Sequence, residues 1–382
     1  MGKLALVLSG GGARGAFQAG ALVELLDYFE RTGRRINILS GTSVGALNGM
    51  SIAQAESLSA ARSEIESQWK KLTNDDIYKV RGWGIFKLFL KFATHRIEKW
   101  PTVSGIDSIF DNTPLYNKYV DNYLDLSAIR SRRTVDDFFV SLTSLHTGAA
   151  YLQCLTTEPD IQKAKEYLMA STITTVAYPP VETIVMDPEL SEDLQNMPQL
   201  YADGGISNKT PLKSILQTGD INELFVVNTY PTYPNKTKES IGAKFPNLFS
   251  ILVRTAVELL PNLYFHRDMQ SVKDVNNDLE TWSLLRSRVL DSVSDDKARV
   301  RLEKILAEEE SKFSFKQGNK QIIHPVIIAP DEELPVQDTE FVQPKLGETF
   351  EMGRMKAKEV LRALENSSAK IRTVIEQREN NL

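Results

Sequence analysis

The sequence predicts an α/β fold, because two runs of apolar residues each lead through a glycine turn into a helix. Leu4–Leu8 form a candidate buried strand that runs straight into Gly10–Gly12, and apolar residues at helical spacing follow. Ile36–Leu39 form a second strand, which reaches Gly41 and is followed by a helical segment over residues 46–54. Strands that alternate with helices in this way form βαβ units around a sheet.

The composition describes a globular chain that is large enough for a sizeable core. The chain has 382 residues, of which 42% are hydrophobic and 25% charged, so we expect one large domain or a domain with an appendage. A net charge of −5 argues against nucleic acid as a principal partner. The one cysteine, Cys154, excludes an internal disulfide framework, and four scattered histidines provide no metal-binding cluster.

No segment of the sequence has the pattern of a secretion signal or a membrane span. Glycines interrupt the first apolar run, so residues 1–20 do not resemble a cleavable signal peptide. The sequence contains no run of about 18 apolar residues, the length that a membrane-spanning helix needs. Leu6 stands where a myristoylation signal needs Ser or Thr. We therefore expect a cytoplasmic protein that can meet membranes as a peripheral protein, and export by a route without a cleavable signal stays open as an alternative.

The glycines after the first strand allow two interpretations. Gly10, Gly12 and Gly15 fit the dinucleotide-binding pattern G-x-G-x-x-G, which also requires an acidic residue at the end of the second strand. That strand instead leads into Ser40 and Gly41, and no Gly-Lys-Ser/Thr follows as a P-loop requires. Alternatively, the backbone N–H groups of this loop stabilise an oxyanion. The missing carboxylate favours this second interpretation.

The second strand continues into the pentapeptide Gly41-Thr42-Ser43-Val44-Gly45. G-x-S-x-G between a strand and a helix is the pattern of a nucleophile elbow, in which small residues permit a tight turn that exposes the serine hydroxyl. The pentapeptide alone is common by chance, but here it occupies the strand–turn–helix context that the mechanism needs. We therefore predict that Ser43 is a nucleophile.

A third informative stretch lies at residues 200–212, where an apolar approach ends in Asp203-Gly204-Gly205. The glycines let the chain turn sharply after a strand, so that the carboxylate faces a cleft. Asp-Gly is also a frequent β-turn pair, and for this stretch alone the turn interpretation is favoured.

The remaining patterns are mostly helical after residue 230. The segment at 81–100 is amphipathic with aromatic residues and lysines, which suits either a helix at a lipid surface or, more commonly, a helix packed on a core. We further predict helices at 57–72 and 160–170, a hairpin at 134–155, a strand at Glu223–Thr229 as the last clear element of the α/β core, helices at 246–260, 263–278, 294–312 and 347–378, and a strand at 321–328.

Together, the loop Gly10–Gly15, the elbow Gly41–Gly45 and the triplet Asp203–Gly205 resemble, in order and spacing, the motifs of the patatin-like phospholipases. The stretch ASTITTVAYPPV at 170–181 also aligns without gaps to that family's Ala-Ser…Phe-Pro-Pro-Val segment, although Tyr178 replaces the usual Phe. Thr175 stands where many members have Pro, whereas Asn208 and Pro211 follow the triplet as in many members. The resemblance covers roughly residues 1–230.

The resemblance implies a three-layer α/β/α fold with a central mixed, mostly parallel sheet. Residues 1–230 would form the catalytic domain. Residues 231–382 lie outside the resemblance, and from their own sequence pattern we expect a mainly helical region of unknown role that packs on the catalytic domain. The implied catalytic dyad is Ser43 as nucleophile and Asp203 as general base, with the N–H groups of Gly10–Gly12 as oxyanion hole. Residues implied to support this site are Arg14, Gly15, Gly41, Gly45, Gly204 and Gly205.

A Ser-His-Asp triad is the alternative to this dyad, but no histidine has a suitable context. His266 and His324 are the histidines after Asp203; the first lies in a helical pattern and the second in an apolar run before a proline. His95 and His146 precede Asp203 and break the usual order of such triads.

The activity that the resemblance implies is that of a lipid acyl hydrolase of the phospholipase A type. It would cleave fatty-acyl esters of glycerophospholipids or related lipids at a membrane surface, without a cofactor or metal, and the need for a protein activator stays open. An acyltransferase would use the same acyl-serine with an alcohol in place of water, and a nucleotide-binding oxidoreductase is the remote alternative from the glycine loop. A non-enzymatic scaffold is disfavoured because Ser43, Asp203 and the glycine loop are all intact.

Overall fold

Strands and helices alternate through the first part of the chain, as the sequence predicts. The structure, a computed structural model, describes residues 2–80, 110–173, 178–185, 197–216, 221–232, 260–310 and 322–379. The strands are β1 (Lys3–Leu8), β2 (Ile36–Gly41), β3 (Lys79–Val80), β4 (Phe110–Asp111), β5 (Val135–Ser144), β6 (Ala150–Cys154), β7 (Val181–Thr183), β8 (Gln199–Asp203), β9 (Ile221–Val227) and β10 (Val326–Ile328).

The helices are α1 (Gly15–Arg31), α2 (Val44–Ala53), α3 (Leu58–Lys71), α4 (Thr113–Leu115), α5 (Leu126–Arg130), α6 (Ile161–Thr172), α7 (Leu212–Leu216), α8 (Leu260–Asp291), α9 (Asp296–Glu310) and α10 (Lys345–Glu379). A π-helical turn at Tyr116–Asp121 follows α4, and short 3₁₀ turns lie at Gly12–Arg14, Asn74–Asp76 and Gly204–Ile206.

The central sheet has eight strands within the described residues, in the order β10-β9-β1-β2-β5-β8-β7, with β6 also paired to β5. Strands β10, β9, β1, β2 and β5 are parallel to one another. Strands β6 and β8 run antiparallel to β5, and β7 runs antiparallel to β8. The predicted mixed, mostly parallel sheet and the hairpin at 134–155 are therefore confirmed.

Helices cover both faces of this sheet. Leu4, Leu6 and Leu8 of β1 belong to a buried cluster that includes residues of α1, α2, α3, α6 and α10. The alternate residues Ala5 and Val7 point to the opposite face and pack with residues of α7 and α8. All five side chains are buried, as expected for a strand in the middle of a doubly covered sheet. The predicted three-layer α/β/α fold is thus confirmed.

Strand β5 brings the ends of β2 and β8 together. On one edge of β5, β2 ends with Gly41 opposite Val140, and β8 ends with Asp203 opposite Leu142. The other edge of β5 is occupied by β6, which pairs with both Val140 and Leu142. Because β2 and β8 run in opposite directions along one edge of β5, their carboxyl ends meet there. This topology places the segments after Gly41 and after Asp203 side by side.

The C-terminal region packs against the first helix and extends the sheet. Helix α10 crosses α1 so closely that a Cβ atom added to Gly20 would lie 1.9 Å from the carbonyl oxygen of Phe350. A Cβ atom added to Gly353 would lie 1.9 Å from the carbonyl oxygen of Phe17. Strand β10 pairs in parallel with β9, so the α/β core does not end at the predicted strand Glu223–Thr229. The domain boundary after residue 230 stays a prediction.

Most of the predicted helices are present, some with different bounds. Those predicted at 57–72, 160–170, 294–312 and 347–378 correspond to α3, α6, α9 and α10, whereas the pattern at 263–278 is part of the longer α8. The predicted helix at 81–100, all but the last residue of 246–260 and residues 174–177 lie outside the described residues. Among the helices that the structure describes, none is long and apolar enough to cross a membrane.

Candidate active site

The predicted elbow forms a sharp turn between β2 and α2. Ser43 has φ 55° and ψ −125°, a conformation that residues other than glycine rarely adopt. The turn requires small neighbours, since a Cβ atom on Gly41 would lie 2.4 Å from the carbonyl oxygen of Gly45. A Cβ atom on Gly45 would lie equally close to the carbonyl oxygen of Leu8, at 2.4 Å. The local sequence thus explains how Ser43 comes to stand at the tip of the turn.

Asp203, at the end of β8, meets Ser43 directly. The Ser43 hydroxyl donates a hydrogen bond to the Asp203 carboxylate, and the Gly205 N–H donates to Oδ1 of the same carboxylate at 2.7 Å. The Asp203 N–H donates to the carbonyl oxygen of Ile173 at 2.9 Å, and its carbonyl oxygen accepts from the Thr143 hydroxyl at 3.0 Å. Backbone and side chain of Asp203 are therefore both fixed in position.

The surroundings of Asp203 make it an unusually good proton acceptor for a carboxylate. The pKa of Asp203 is raised from 3.8 to about 6, because the effect of burial outweighs the hydrogen bonds from Ser43 and Gly205 and the nearby Lys209 ammonium, which lower the pKa. The carboxylate of Asp338 adds to the rise. With a pKa near 6, Asp203 remains ionised at neutral pH and is a stronger base than an exposed aspartate.

The glycine loop lies beside the elbow. A Cβ atom on Gly10 would lie 3.2 Å from the Cβ atom of Ser43, and the Gly10 N–H donates to the carbonyl oxygen of Lys209 at 3.2 Å. Within the described residues, no group accepts a hydrogen bond from the N–H of Gly11 or Gly12. Two of the three predicted oxyanion donors are thus unengaged, whereas the Gly10 amide already has an acceptor.

The other predicted supporting glycines fill tight positions around the same turns. A Cβ atom on Gly15 would lie 2.3 Å from Cγ2 of Val44, and one on Gly204 would lie 2.1 Å from Oγ of Ser141. The N–H of Gly205 is the donor that orients the Asp203 carboxylate. The structure therefore brings the predicted dyad and all the predicted glycines into one region at the carboxyl ends of β1, β2 and β8.

Arg14, the remaining predicted residue, is buried and paired with the C-terminal region. Its side chain is 1% exposed, with Nε 2.8 Å from Oδ1 of Asp338 and Nη1 2.9 Å from Oε2 of Glu333. The Asp338 carbonyl oxygen also accepts the Ala13 N–H at 2.8 Å. Sequence reasoning missed both acidic residues, because they lie in an irregular segment without a recognisable pattern.

Three further residues near the site also escaped sequence reasoning. The Ser171 hydroxyl oxygen accepts the N–H of Ser43 at 3.3 Å, and Ser171 does lie in the stretch that carries the family resemblance. The Lys209 ammonium donates to the Tyr230 hydroxyl at 2.6 Å, and that hydroxyl donates to Oδ2 of Asp338 at 2.6 Å. For Lys209, the sequence feature that could have indicated a place near the site is its position shortly after Asp203-Gly204-Gly205.

A buried polar network holds the strand ends behind the site. The Gln18 side-chain amide donates to the carbonyl oxygens of Ser9 and Val227, at 3.1 and 3.2 Å. Asn48 donates to Oε1 of Gln18 at 2.9 Å, and the Trp69 indole donates to Oδ1 of Asn48 at 2.9 Å. Since buried polar groups are expensive to leave unpaired, this network fixes α1, α2 and α3 relative to the loop.

The acceptor for the Ser43 hydroxyl is thus a carboxylate and not a histidine. Within the described residues, His146 accepts the Leu200 N–H at 3.4 Å and His266 packs beside the ring of Phe265. No group of three or more His, Cys, Asp or Glu side chains in that part of the chain is arranged to hold a metal ion.

Comparison with protein families agrees with this geometry. The pattern of the patatin-like phospholipases matches residues 6–216, more than half of the chain. The chain belongs to the patatin-like phospholipase family. Patatin-like phospholipases are lipid ester hydrolases, and the matched residues include the glycine loop, the elbow and the Asp203-Gly204-Gly205 turn. No curated protein sequence matches the chain.

Solved structures include similar proteins at low sequence identity. VipD from Legionella pneumophila is 13% identical with a TM-score of 0.41, over 95% of this chain and 67% of VipD. ExoU of Pseudomonas aeruginosa, in a heterodimeric complex with SpcU from the type III secretion system, is 12% identical with a TM-score of 0.25, over 82% of this chain and 67% of that one. A further structure of the type III effector ExoU is 13% identical with a TM-score of 0.24, over 91% and 68%.

Proposed function

We propose that this patatin-like phospholipase is a lipid acyl hydrolase of the phospholipase A type, with Ser43 as nucleophile and Asp203 as general base. The observation that carries the proposal is the hydrogen bond from the Ser43 hydroxyl to the buried Asp203 carboxylate. A nucleophile within hydrogen-bond reach of a base that is itself oriented by a third group is the arrangement that acyl transfer needs. Here the third group is the N–H of Gly205.

In the proposed reaction, the Ser43 oxygen attacks the ester carbonyl carbon while Asp203 accepts the hydroxyl proton. When the tetrahedral intermediate collapses, the ester C–O bond breaks and Asp203 returns the proton to the leaving alcohol. An acyl-Ser43 ester remains. A water molecule then attacks this ester and gives its proton to Asp203, and the fatty acid leaves as Ser43 is reprotonated.

The proposed oxyanion donors are the N–H groups of Gly11 and Gly12, since the Gly10 amide donates to Lys209. Amides fixed in a loop need no reorganisation when negative charge develops on the carbonyl oxygen. Loss of one such donor typically costs about 2.7–4 kcal/mol of transition-state stabilisation. Gly10 would then contribute by allowing close approach of the loop to Ser43.

The proposed substrates are glycerophospholipids or other acyl-ester lipids, reached by transient contact with a membrane surface. This part of the proposal rests on family membership. For the organisation of the chain, we propose that residues 1–230 supply the catalytic residues, and that the mainly helical region at 231–382 packs on them through α10 and extends their sheet through β10. No cofactor enters any step.

The proposal is tested by fatty-acid release from mixed phospholipid vesicles, with wild type, Ser43→Ala and Asp203→Asn compared at equal concentration. We expect release by the wild type and a loss in both variants. A fluorophosphonate probe, which reacts with activated serines, should label wild type and not Ser43→Ala. Labelled wild type that transfers acyl groups only to an added alcohol would favour the acyltransferase alternative. A wild-type Ser43 that stays inert toward the probe would refute the nucleophile assignment.

A further inference from the structure

Asp338 contacts the glycine loop through both its backbone and its side chain. Its carbonyl oxygen accepts the Ala13 N–H at 2.8 Å, and its Oδ1 lies 2.8 Å from Nε of the buried Arg14. The approach is tight, because a Cβ atom on Gly12 would lie 2.0 Å from the Asp338 carbonyl oxygen. A single residue of the C-terminal region therefore touches three consecutive residues of the loop.

The same carboxylate is also connected to the other side of the site. Oδ2 of Asp338 accepts the Tyr230 hydroxyl at 2.6 Å, and that hydroxyl accepts from the Lys209 ammonium at 2.6 Å. The carbonyl oxygen of Lys209 accepts the Gly10 N–H at 3.2 Å. Lys209 and Tyr230 are both buried. Asp338 thus supports the loop at Gly10 as well, through Tyr230 and Lys209, and the Lys209 ammonium also lies 3.9 Å from Oδ2 of Asp338.

We infer that Asp338 is a positioning residue for acyl transfer: it fixes the glycine loop at the distance from Ser43 at which the loop amides meet the oxyanion. This inference rests on the proposed function. Asp338 lies outside residues 6–216, the part of the chain that matches the family. The C-terminal region would therefore complete the active site in addition to covering it.

The charge of Asp338 matters because Arg14 is almost fully buried. A buried guanidinium that loses its partner is strongly disfavoured, so it moves toward water or toward another carboxylate. Among the described residues, Arg14 also pairs with the carboxylate of Glu333, whose side chain is 49% exposed, against 24% for Asp338. If Asp338 is neutralised, the guanidinium of Arg14 is attracted more strongly by the carboxylate of Glu333, which lies nearer the surface. Arg14 would then move toward Glu333 and take the loop away from Ser43.

The test compares Asp338→Asn and Tyr230→Phe with the matched control Asp331→Asn. Asp331 lies in the same segment, but its side chain is 76% exposed and pairs with Lys356. We expect Asp338→Asn to lower kcat for a soluble short-chain ester by about 10²-fold, as misplacement of a catalytic group by roughly 1 Å does. KM should change by less than about twofold, because the loop acts on the transition state.

The rate of Ser43 labelling by a fluorophosphonate should fall in parallel, and amide hydrogen exchange in a peptide spanning residues 9–15 should become faster. Tyr230→Phe should show a smaller loss in the same direction, and its effect should not add fully to that of Asp338→Asn, since both act along one path. Asp331→Asn should match wild type in every measurement.

Two results would overturn the inference. One is a folded Asp338→Asn protein with wild-type kcat, labelling rate and exchange in the loop. The other is a loss of kcat that appears equally in Asp331→Asn, which would point to a general effect of the segment. If the proposed function itself is wrong, the fluorophosphonate will not label wild type. Amide hydrogen exchange in residues 9–15 would still show whether Asp338 holds the loop in place.

Discussion

At the scale of single residues, each member of the candidate dyad is in a state that is unfavourable by itself. Ser43 has a backbone conformation that costs about 1–3 kcal/mol. Asp203 is a carboxylate with 5% exposure, which burial disfavours in its charged form. Both states persist because neighbouring groups fix them, and such concentrated strain is typical of a site that performs chemistry.

The raised pKa of Asp203 predicts an acidic limit to activity. Because a general base must be ionised, acylation of Ser43 should fall as the pH drops through about 6. We expect kcat/KM for a soluble ester to be roughly tenfold lower at about pH 5 than on its plateau, with one ionisation. Enzyme returned from about pH 5 to neutral pH should regain full activity. If kcat/KM falls only as the pH drops through 3.8, the usual aspartate pKa, the assignment of Asp203 as the general base is contradicted.

The same shift predicts that Asp203 lowers the stability of the protein at neutral pH. Folding raises the pKa of Asp203 from 3.8 to about 6. The contribution of Asp203 to the free energy of unfolding is therefore fully favourable below pH 3.8 and is lost as the pH rises through 6. Asp203→Asn cannot ionise and can still accept the Gly205 N–H. We therefore expect it to raise the free energy of unfolding by up to about 3 kcal/mol at neutral pH while abolishing labelling of Ser43.

Urea unfolding of wild type and Asp203→Asn at neutral pH and at about pH 4 measures this effect. The gain should shrink toward zero at the lower pH, because wild-type Asp203 is then protonated in the folded state. The exposed Asp331→Asn should show no comparable gain. A destabilised Asp203→Asn at neutral pH would mean that ionised Asp203 contributes more through its hydrogen bonds than burial costs.

At the scale of elements, the site exists because β5 is longer than its neighbour β2. The free part of its edge accepts β8 in the opposite direction, so two chain turns meet where β2 and β8 end. The glycine loop approaches from β1, the next parallel strand. Three turns from distant parts of the sequence thereby converge without any long connection, in the region where open α/β sheets bind ligands.

The turn after β1 predicts a contrast between two glycines with positive φ. Gly12 has φ +53° and no room for a Cβ atom, whereas Gly33 has φ +65° with nothing within 4 Å of an added Cβ atom among the described residues. Alanine at either position should cost about 1–2 kcal/mol of stability through the backbone alone. Only Gly12→Ala should also displace the loop from Asp338 and slow the labelling of Ser43.

Urea unfolding and fluorophosphonate labelling of both variants check this prediction. Gly33→Ala should lose stability but keep the wild-type labelling rate. Similar labelling rates in the two variants would show that the loop tolerates displacement, and would weaken the role of its amides in oxyanion binding.

For the whole molecule, the sequence predicted the parts of the site that lie in short, ordered motifs. Ser43, Asp203 and the glycines were identifiable because tight turns restrict which residues fit at each position. Asp338, Tyr230 and Lys209 were not identifiable, since their contacts depend on how distant segments pack. The strand predicted at 321–328 is present as the shorter β10, Val326–Ile328. Its place beside β9 was not identifiable, because an apolar run does not indicate which strand it pairs with.

The contacts of α10 and β10 indicate that the C-terminal region folds together with the sheet, which two glycines of α10 can test. Gly353 faces the carbonyl oxygen of Phe17, whereas the nearest contact of a Cβ atom on Gly347 would be a side-chain oxygen at 3.6 Å. Gly347→Ala should therefore stabilise the protein by about 0.8–1 kcal/mol through helix propensity. Gly353→Ala should destabilise it by about 1–3 kcal/mol through overpacking.

If the chain unfolds as one unit, urea curves from circular dichroism and from loss of Ser43 labelling will coincide in each variant and shift together, in opposite directions for the two glycines. A C-terminal region that only lies against an independently folded catalytic domain gives another result. The Gly353→Ala variant would then lose Ser43 labelling at the same urea concentration as wild type, and only its circular dichroism curve would shift. That outcome would place a true domain boundary near residue 230 and would also require Asp338 to act without the support of α10.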